Sequence, residues 1–338
     1  MADKTRIAWA DATINPAYGC SKISPACDHC YAAAQAPRLG ALTEGTVKNG
    51  NWTGKFNLFP GRMKQARAWK RPRRIFIGSM TDIFHENVPD AFLDEVFGHM
   101  ALAYWHTFLL LTKRPDRMHQ YLSRRYMPGA IGDAVVRIGE KEGSPLYLPK
   151  PVIPWPFPNV WLGCTVENQD MAEKRIPDLL ACPAALHFIS AEPLLGGLDL
   201  GKWLAPPFES GVMHMGMNEV VAGDPLLGWV IGGAESGRNA RPWCPDWARS
   251  LRDQCKDAGV PFMWKQNGEW APYDRATGII PTKENGHSWG TIDVDGNFFP
   301  STTAWTGDNG ETEFAMVRVG KERAGHLLDG VEHMEFPE

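Results

Sequence analysis

The chain has 338 residues, 43% of them hydrophobic and 22% charged, with a formal net charge of −4, the make-up of an ordinary folded protein. No run of about 18 apolar residues occurs, which excludes a membrane-spanning helix from the expectation, and the start, Met-Ala-Asp-Lys-Thr-Arg, lacks the apolar stretch of a signal peptide. The protein is therefore expected in the cytoplasm, where its seven cysteines read as metal ligands or core residues rather than disulfides. The slight acidity gives no overall pull toward nucleic acid.

Three of the cysteines lie close together near the start, in Gly-Cys-Ser-Lys-Ile-Ser-Pro-Ala-Cys-Asp-His-Cys-Tyr. A short alanine-rich helix is expected from Tyr31 to Leu39, closed by Gly40, and residues 41–61 read as a glycine-punctuated loop. From Arg62 to Arg74 the chain carries Arg62, Lys64, Arg67, Lys70, Arg71, Arg73 and Arg74 around Trp69. This stretch is either a solvated face or a phosphate-binding patch.

A rhythm of strand and helix follows. The apolar run from Arg74 ends in Ser79, Thr81 and Asp82. A helix is predicted from Pro89 to Tyr104, with Phe92, Val96, Phe97, Met100 and Tyr104 on one face and Pro89 at its start. A strand from Thr107 ends in Thr112, Lys113 and Arg114, and a basic helix runs from Pro115 to about Arg125. Residues 126–158, proline-clustered, are expected to be a surface insertion. The rhythm resumes with a strand at Asn159–Asn168, a helix at 169–181 and a strand at Leu186–Glu192. A second insertion, about 197–226, separates these from a strand and turn at Gly228–Gly237, a helix from Pro245 to about Asp257 and a last strand at Pro261–Gln266.

Alternating strands and helices predict an α/β fold with a parallel sheet, and strands that are apolar throughout fit a sheet covered on both faces. Six or seven such units point to a barrel, partial or near-complete. No Gly-x-Gly-x-x-Gly fingerprint opens any helix, which weakens the dinucleotide-binding alternative. Residues 1–268 would form the barrel with its insertions. Residues 269–338, with short strands expected at 289–299 and 312–319, would form a C-terminal extension packed on it.

In such barrels the working residues lie at the C-terminal ends of the strands. Six strand ends here carry polar groups: Ser79, Thr81 and Asp82; Thr112, Lys113 and Arg114; Thr165, Glu167 and Asn168; Ser190 and Glu192; Glu235 and Ser236; Lys265 and Gln266. The cysteine loop would share that rim. Its spacing, C-x6-C-x2-C over Cys20, Cys27 and Cys30, offers three thiolates, and a fourth ligand is missing. A closed zinc site normally draws on two close pairs of ligands, whereas a three-thiolate centre leaves one position open for chemistry. Both readings stand on spacing alone. Cys164, Cys182, Cys244 and Cys255 read as structural.

As an ordered set, the motifs resemble the phage-associated, three-cysteine branch of the radical S-adenosylmethionine (SAM) superfamily. They are Ile7-Ala-Trp-Ala-Asp-Ala-Thr-Ile-Asn-Pro, the cysteine loop, Gly78-Ser-Met-Thr-Asp-Ile-Phe-His, Leu111-Thr-Lys-Arg-Pro, Trp161-Leu-Gly-Cys-Thr-Val-Glu-Asn-Gln, Ser190-Ala-Glu-Pro-Leu, Gly232-Gly-Ala-Glu-Ser-Gly, Lys265-Gln-x-Gly and Gly325-His-Leu-Leu-Asp-Gly. The resemblance implies a radical SAM-type partial barrel, a [4Fe–4S] cluster on Cys20, Cys27 and Cys30, and SAM on its fourth iron. One-electron reduction then cleaves SAM to methionine and a 5′-deoxyadenosyl radical. An external reductant of flavodoxin or ferredoxin type is implied, and the host cytoplasm if a phage encodes the chain.

By the same resemblance His29 would lie near the adenine, and Ser79, Thr81 and Asp82 would meet the methionine amino group. Thr165, Glu167 and Asn168 would approach the ribose, Gly233 and Glu235 would flank the adenine, and Ser190 and Glu192 would complete the SAM site. Lys113, Arg114, Lys265 and Gln266 are assigned to substrate. Two departures from the superfamily pattern are the residues Ile23, Ser24 and Pro25, which enlarge the loop, and the absence of a Gly-Gly-Glu element. Asp82, Glu192 and Glu235 have a second reading, as partners of Lys113, Arg114, Arg241 or Lys265 that hold the rim together.

The phage association suggests nucleic acid as substrate, with radical rearrangement of a modified nucleotide such as an amino-acid-bearing thymine in DNA. Radical repair of a DNA lesion is an alternative. So are a zinc-stabilised nucleic-acid-binding module without catalysis and a SAM-dependent, methyltransferase-like protein. The sequence names no catalytic residue.

Overall fold

Seven short apolar runs become the strands of one parallel sheet in a computed structural model that describes residues 5–148, 154–204, 213–215, 218–220, 226–273, 288–301 and 313–337. They are β1 (Ala12–Ile14), β2 (Arg74–Ile77), β3 (Thr107–Thr112), β4 (Val160–Thr165), β5 (Leu186–Ala191), β6 (Trp229–Gly232) and β7 (Phe262–Trp264). Their order in the sheet is their order in the chain, and every neighbouring pair is parallel. A doubly wound sheet reverses direction at a switch point. This one never does, so it curls in a single sense as a partial (β/α) barrel.

Side-chain alternation separates outside from inside. Ile75 and Ile77 of β2, Phe108 and Leu110 of β3, and Leu162 and Cys164 of β4 pack in the main core with the helices. The alternate residues Phe76, Leu109, Phe188, Trp229, Ile231 and Met263 form a separate buried cluster that fills the curl, joined by Trp9. Gly163 belongs to this inner set. A Cβ there would sit 2.5 Å from the ring of Phe188, so the aromatic fills the space that glycine leaves.

Among the helices are α1 (Tyr31–Gln35), α2 (Asp90–Leu102), α3 (Pro115–Leu122), α4 (Met127–Glu142), α5 (Gln169–Leu180) and α6 (Pro245–Ala258). Phe92, Val96, Phe97 and Met100 of α2 are buried as their spacing predicts, but the helix stops at Leu102 and Tyr104 is 52% exposed. Residues 126–158 also differ from the expected surface insertion. Half of the segment is α4, whose buried Ile131, Val135 and Ile138 lie one helical turn apart. It seats against α2, where a Cβ on Gly98 would come 3.2 Å from Ile138. In the 197–226 insertion, Met213–Met215 and Asn218–Val220 pair as an antiparallel hairpin, and much of the rest lies outside the described residues.

The segment after 269 forms an antiparallel sheet from β8 (Trp270–Pro272), β9 (Trp289–Asp293), β10 (Phe298–Ser301) and β11 (Glu313–Arg318), in the order β8-β11-β9-β10. The single strand expected at 289–299 is thus two strands of a hairpin. The last described residues return to the barrel. Met334 bridges Met263 antiparallel, the Trp264 amide donates to His333 O at 2.9 Å, and Trp229 Nε1 donates to Glu335 O at 2.9 Å. Phe336 then packs 5.3 Å from the Trp229 ring and 3.8 Å beneath the Arg74 guanidinium. The tail therefore covers the outer edge of β7 and reaches β2 at the base of the curl.

Candidate metal centre at the barrel mouth

The cysteine loop leaves the first strand through Gly19, whose φ of +130° is open to glycine, and a Cβ there would meet the carbonyl of Lys55 at 2.2 Å. Gly19 pairs with Thr81 past the end of β2, and Thr81 Oγ1 donates to Gly19 O at 2.8 Å. The loop continues through a 3₁₀ turn at Pro25–Cys27 and enters α1 directly after Cys30. It therefore lies over the C-terminal ends of the parallel strands, and all three thiols are free of disulfides.

Three arginine–carboxylate pairs, their acids at separate strand ends, hold this loop at Ser21, at Ala26, and at Pro25 and His29. The first is Arg114 with Asp82. Arg114, 5% exposed, donates to Asp82 at 3.1 Å, to the Ser21 carbonyl at 3.2 Å, to Ser21 Oγ at 2.8 Å and toward Cys20 Sγ at 4.0 Å. Asp82 also accepts from the amides of Phe84 and Lys113 and from Thr112 Oγ1. Both its oxygens are thus engaged, and the guanidinium faces the loop rather than the open mouth. Burial, reinforced by Asp82, pushes the Cys20 thiol up to about 12, with Arg114 working the other way. Burial and the Arg114 charge lower the pKa of His85, whose ring meets Ser21 Oγ at 2.7 Å.

The second pair is Glu167 with Arg175 of α5, 2.7 Å apart with side chains 0% and 3% exposed. Glu167 reaches the amide of Ala26 at 3.5 Å, beside Cys27, while Arg175 also donates to the Thr165 carbonyl at 2.8 Å. The third is Glu235 with Arg241. Glu235 accepts from the Arg241 amide and guanidinium at 2.6–2.9 Å and meets His29 Nδ1 at 3.0 Å, and Arg241 donates to the Pro25 carbonyl at 3.0 Å. Burial opposes ionisation of Glu235, but the bonds from Arg241 and His29 outweigh it and hold the carboxyl below its ordinary value. Ile23, Ser24 and Pro25, which enlarge the loop, lead into the Pro25–Cys27 turn that the second and third pairs grip at Ala26 and Pro25.

The remaining rim residues fall into two groups. By strand alternation Lys113, Thr165, Ser190, Glu192, Gly233 and Lys265 continue the inward-facing rows. Glu192 is bound by Lys265 Nζ at 2.8 Å to each oxygen and by Gln266 Nε2 at 2.6 Å. A Cβ on Gly233 would stand 3.2 Å from the Glu192 carboxyl carbon, so the glycine lets that carboxylate lie flat across β6. Lys113 is half-buried and has no ion pair among the described residues. Ser79 and Asn168 are turned to local work. Ser79 Oγ donates to Asn15, its carbonyl accepts from Tyr31 OH, and Asn168 caps α5 through the Met171 amide.

The basic stretch 62–74 does not gather at the mouth. Arg62 stacks on Tyr18, Lys64 and Arg67 pair with Glu142, Arg73 lies on Trp69, and Arg74 is held by Asp11 and Phe336 at the base. Sequence reasoning missed Arg175 and Trp52. Arg175 had a signal, an arginine among the apolar Ala172, Ile176 and Leu179 of α5. Trp52 sits in a segment read as loop.

Among the described residues no group of three or more His, Cys, Asp or Glu side chains is drawn together as a ready metal cage. The donor chemistry and its place nevertheless fit a three-thiolate centre. Soft thiols are the ligands of iron–sulfur clusters and zinc. The hydroxyl of Ser24 inside the loop and that of Thr13 in the first strand are buried without a partner among the described residues. Cys164, Cys182, Cys244 and Cys255 are buried in the main core among apolar side chains, which sets them apart from the three loop thiols.

A curled parallel sheet with an anchored thiol loop over its strand ends defines an α/β barrel protein with a candidate metal centre. The family described as "Protein of unknown function (DUF5131)" matches residues 4–337, and the chain belongs to it. No curated protein matches the chain. Among solved structures, a cysteine-to-serine mutant of spore photoproduct lyase is similar, with a TM-score of 0.39 and 11% identity over 76% of this chain and 75% of that one. No helix among the described residues is long and apolar enough to cross a membrane.

Proposed function

We propose that the protein is a radical SAM enzyme in which Cys20, Cys27 and Cys30 hold a [4Fe–4S] cluster and the barrel mouth receives SAM and a nucleic-acid substrate. The observation that carries this reading is the loop itself: three free thiols over the strand ends, on a loop held at Ser21, at Pro25 and Ala26, and at His29 by three buried or half-buried ion pairs. When bound, the cluster and SAM supply a 5′-deoxyadenosyl radical that removes a hydrogen atom from substrate. The chain's own part is to hold and shield. Arg114, Arg175 and Arg241 fix the loop, and the apolar filling around Phe188 and Ile231 excludes water from below. Lys113 offers an uncompensated charge to an anionic group, while Glu192, Lys265 and Gln266 form a polar wall opposite. A flavodoxin- or ferredoxin-like protein would deliver the electron.

The substrate we propose is a modified nucleotide in phage DNA, such as an amino-acid-bearing thymine, rearranged after hydrogen abstraction. Anaerobic purification tests the cofactor. A brown protein absorbing broadly at about 400 nm, as thiolate-bound iron–sulfur clusters do, is expected, and Cys27→Ala should abolish the colour. With dithionite and SAM the loaded enzyme should release 5′-deoxyadenosine, and modified DNA should be altered where unmodified DNA is not. Conversion of lesion-bearing DNA instead would assign repair. A colourless protein with one tightly held zinc, or release of S-adenosylhomocysteine without reductant, would overturn the reading.

A further inference from the structure

Residues 45–55 lie against the cysteine loop. Val47–Lys48 and Asn51–Trp52 form a two-stranded hairpin. Its base is tied by the Thr53 amide to Thr46 O at 2.9 Å and by Thr53 Oγ1 to Gly45 O at 2.8 Å. One residue on, the Gly54 amide donates to the carbonyl of Cys20 at 3.0 Å. At the other end of the cysteine loop, Trp52 packs with Cys30 against Tyr18, Ala32 and Met80, and its indole Nε1–H points at Cys30 Sγ from 3.4 Å. The hairpin therefore touches the loop at its first and last cysteines. Across the loop, Arg114 Nη1 approaches Cys20 Sγ at 4.0 Å.

We propose that Trp52 and Arg114 are positioning residues that donate N–H bonds to the sulfurs of Cys30 and Cys20, and that they set the electron affinity of the metal centre those thiols hold. The inference rests on the metal-centre reading above and assigns its outer partners. A thiolate that accepts an N–H bond gives up part of its charge to the donor, so the metal beneath it is easier to reduce. Neither group is available as a ligand: indole and guanidinium are donors only. Arg114 thereby serves the loop rather than the substrate.

The test uses the full chain with cobalt(II) as probe, and then the reconstituted iron–sulfur protein. Cobalt bound by thiolates shows a sulfur-to-metal charge-transfer band, which moves to longer wavelength when a sulfur loses an N–H bond. Trp52→Phe, which keeps the ring in its packing, and Arg114→Lys, which keeps a charge beside Asp82, should each shift the band to longer wavelength. The double variant should shift it further, and Trp105→Phe, far from the loop, should leave it in place. In the reconstituted protein the same two variants should move the reduction midpoint to more negative potential at unchanged iron content. Bands and midpoints that stay at the wild-type positions in both variants would overturn the inference and leave the function standing. A wild-type protein with no thiolate–cobalt band would remove the metal centre itself, and this inference with it.

Discussion

At the scale of single residues, the acids at the strand ends are employed in holding the site together. Glu167 is the extreme case, fully buried against an Arg175 that is 3% exposed. Removing one member of a buried ion pair strands the other charge at a cost of about 3–5 kcal/mol. Glu167→Ala is therefore expected to lose about that much in urea denaturation. A Glu167→Leu/Arg175→Met double variant should lose less than the sum of the two single changes, because no orphan charge remains. The sequence offered Arg114 and Arg241 among the possible partners of Asp82 and Glu235 without matching them, and it missed the Glu167–Arg175 pair altogether, for one physical reason. Asp82, Glu167 and Glu235 could be recognised as polar groups closing apolar strands, but their arginines lie 32, 8 and 6 residues away along the chain. Charge type leaves the choice of partner open, and the folded rim decides it.

At the scale of elements, the strands were readable because a sheet covered on both faces shows itself as short apolar runs. Helix α4 was hidden. Pro128 at its start and Gly129, Gly132 and Gly139 within it mask the spacing of Ile131, Val135 and Ile138, although those three share one face. The Val47–Trp52 hairpin was equally obscure, because two-residue strands carry no periodicity to detect. The tail was read only as part of an extension, yet it protects the outer edge of β7, and unpaired edges invite association between chains. Deleting residues 333–338 should expose that edge and the Phe336 seat on Trp229. The truncated protein is expected to melt several degrees lower and to elute partly as oligomers in size-exclusion chromatography.

At the scale of the molecule, the sheet gives the protein two ends with different chemistry. The mouth carries the thiol loop and Lys113; the base carries Arg74 over Phe336 and the exposed Lys70 and Arg71 that lead into β2. A nucleic acid engaged at the mouth should therefore respond to the first set only. Lys113→Ala should weaken binding of phage-type DNA several-fold in anisotropy titrations and lower the salt dependence by about one unit of slope. Lys70→Glu with Arg71→Glu should leave both unchanged. Charge density alone left the basic stretch open as a solvated face or a phosphate-binding patch, because counting charges along a chain ignores which end of a barrel they reach.

The way the cysteine loop is anchored also bears on how the protein is made. Its three cysteines are complete within the first 30 residues, but its anchors arrive with Arg114, Arg175 and Arg241. A ribosome must release about two thirds of the chain beyond the loop before the last anchor can engage. Iron offered during synthesis would meet three thiols on an unrestrained segment, whereas iron offered afterwards would meet a loop fixed on three sides. On the iron–sulfur reading proposed above, metal loading would follow folding, as a separate maturation step.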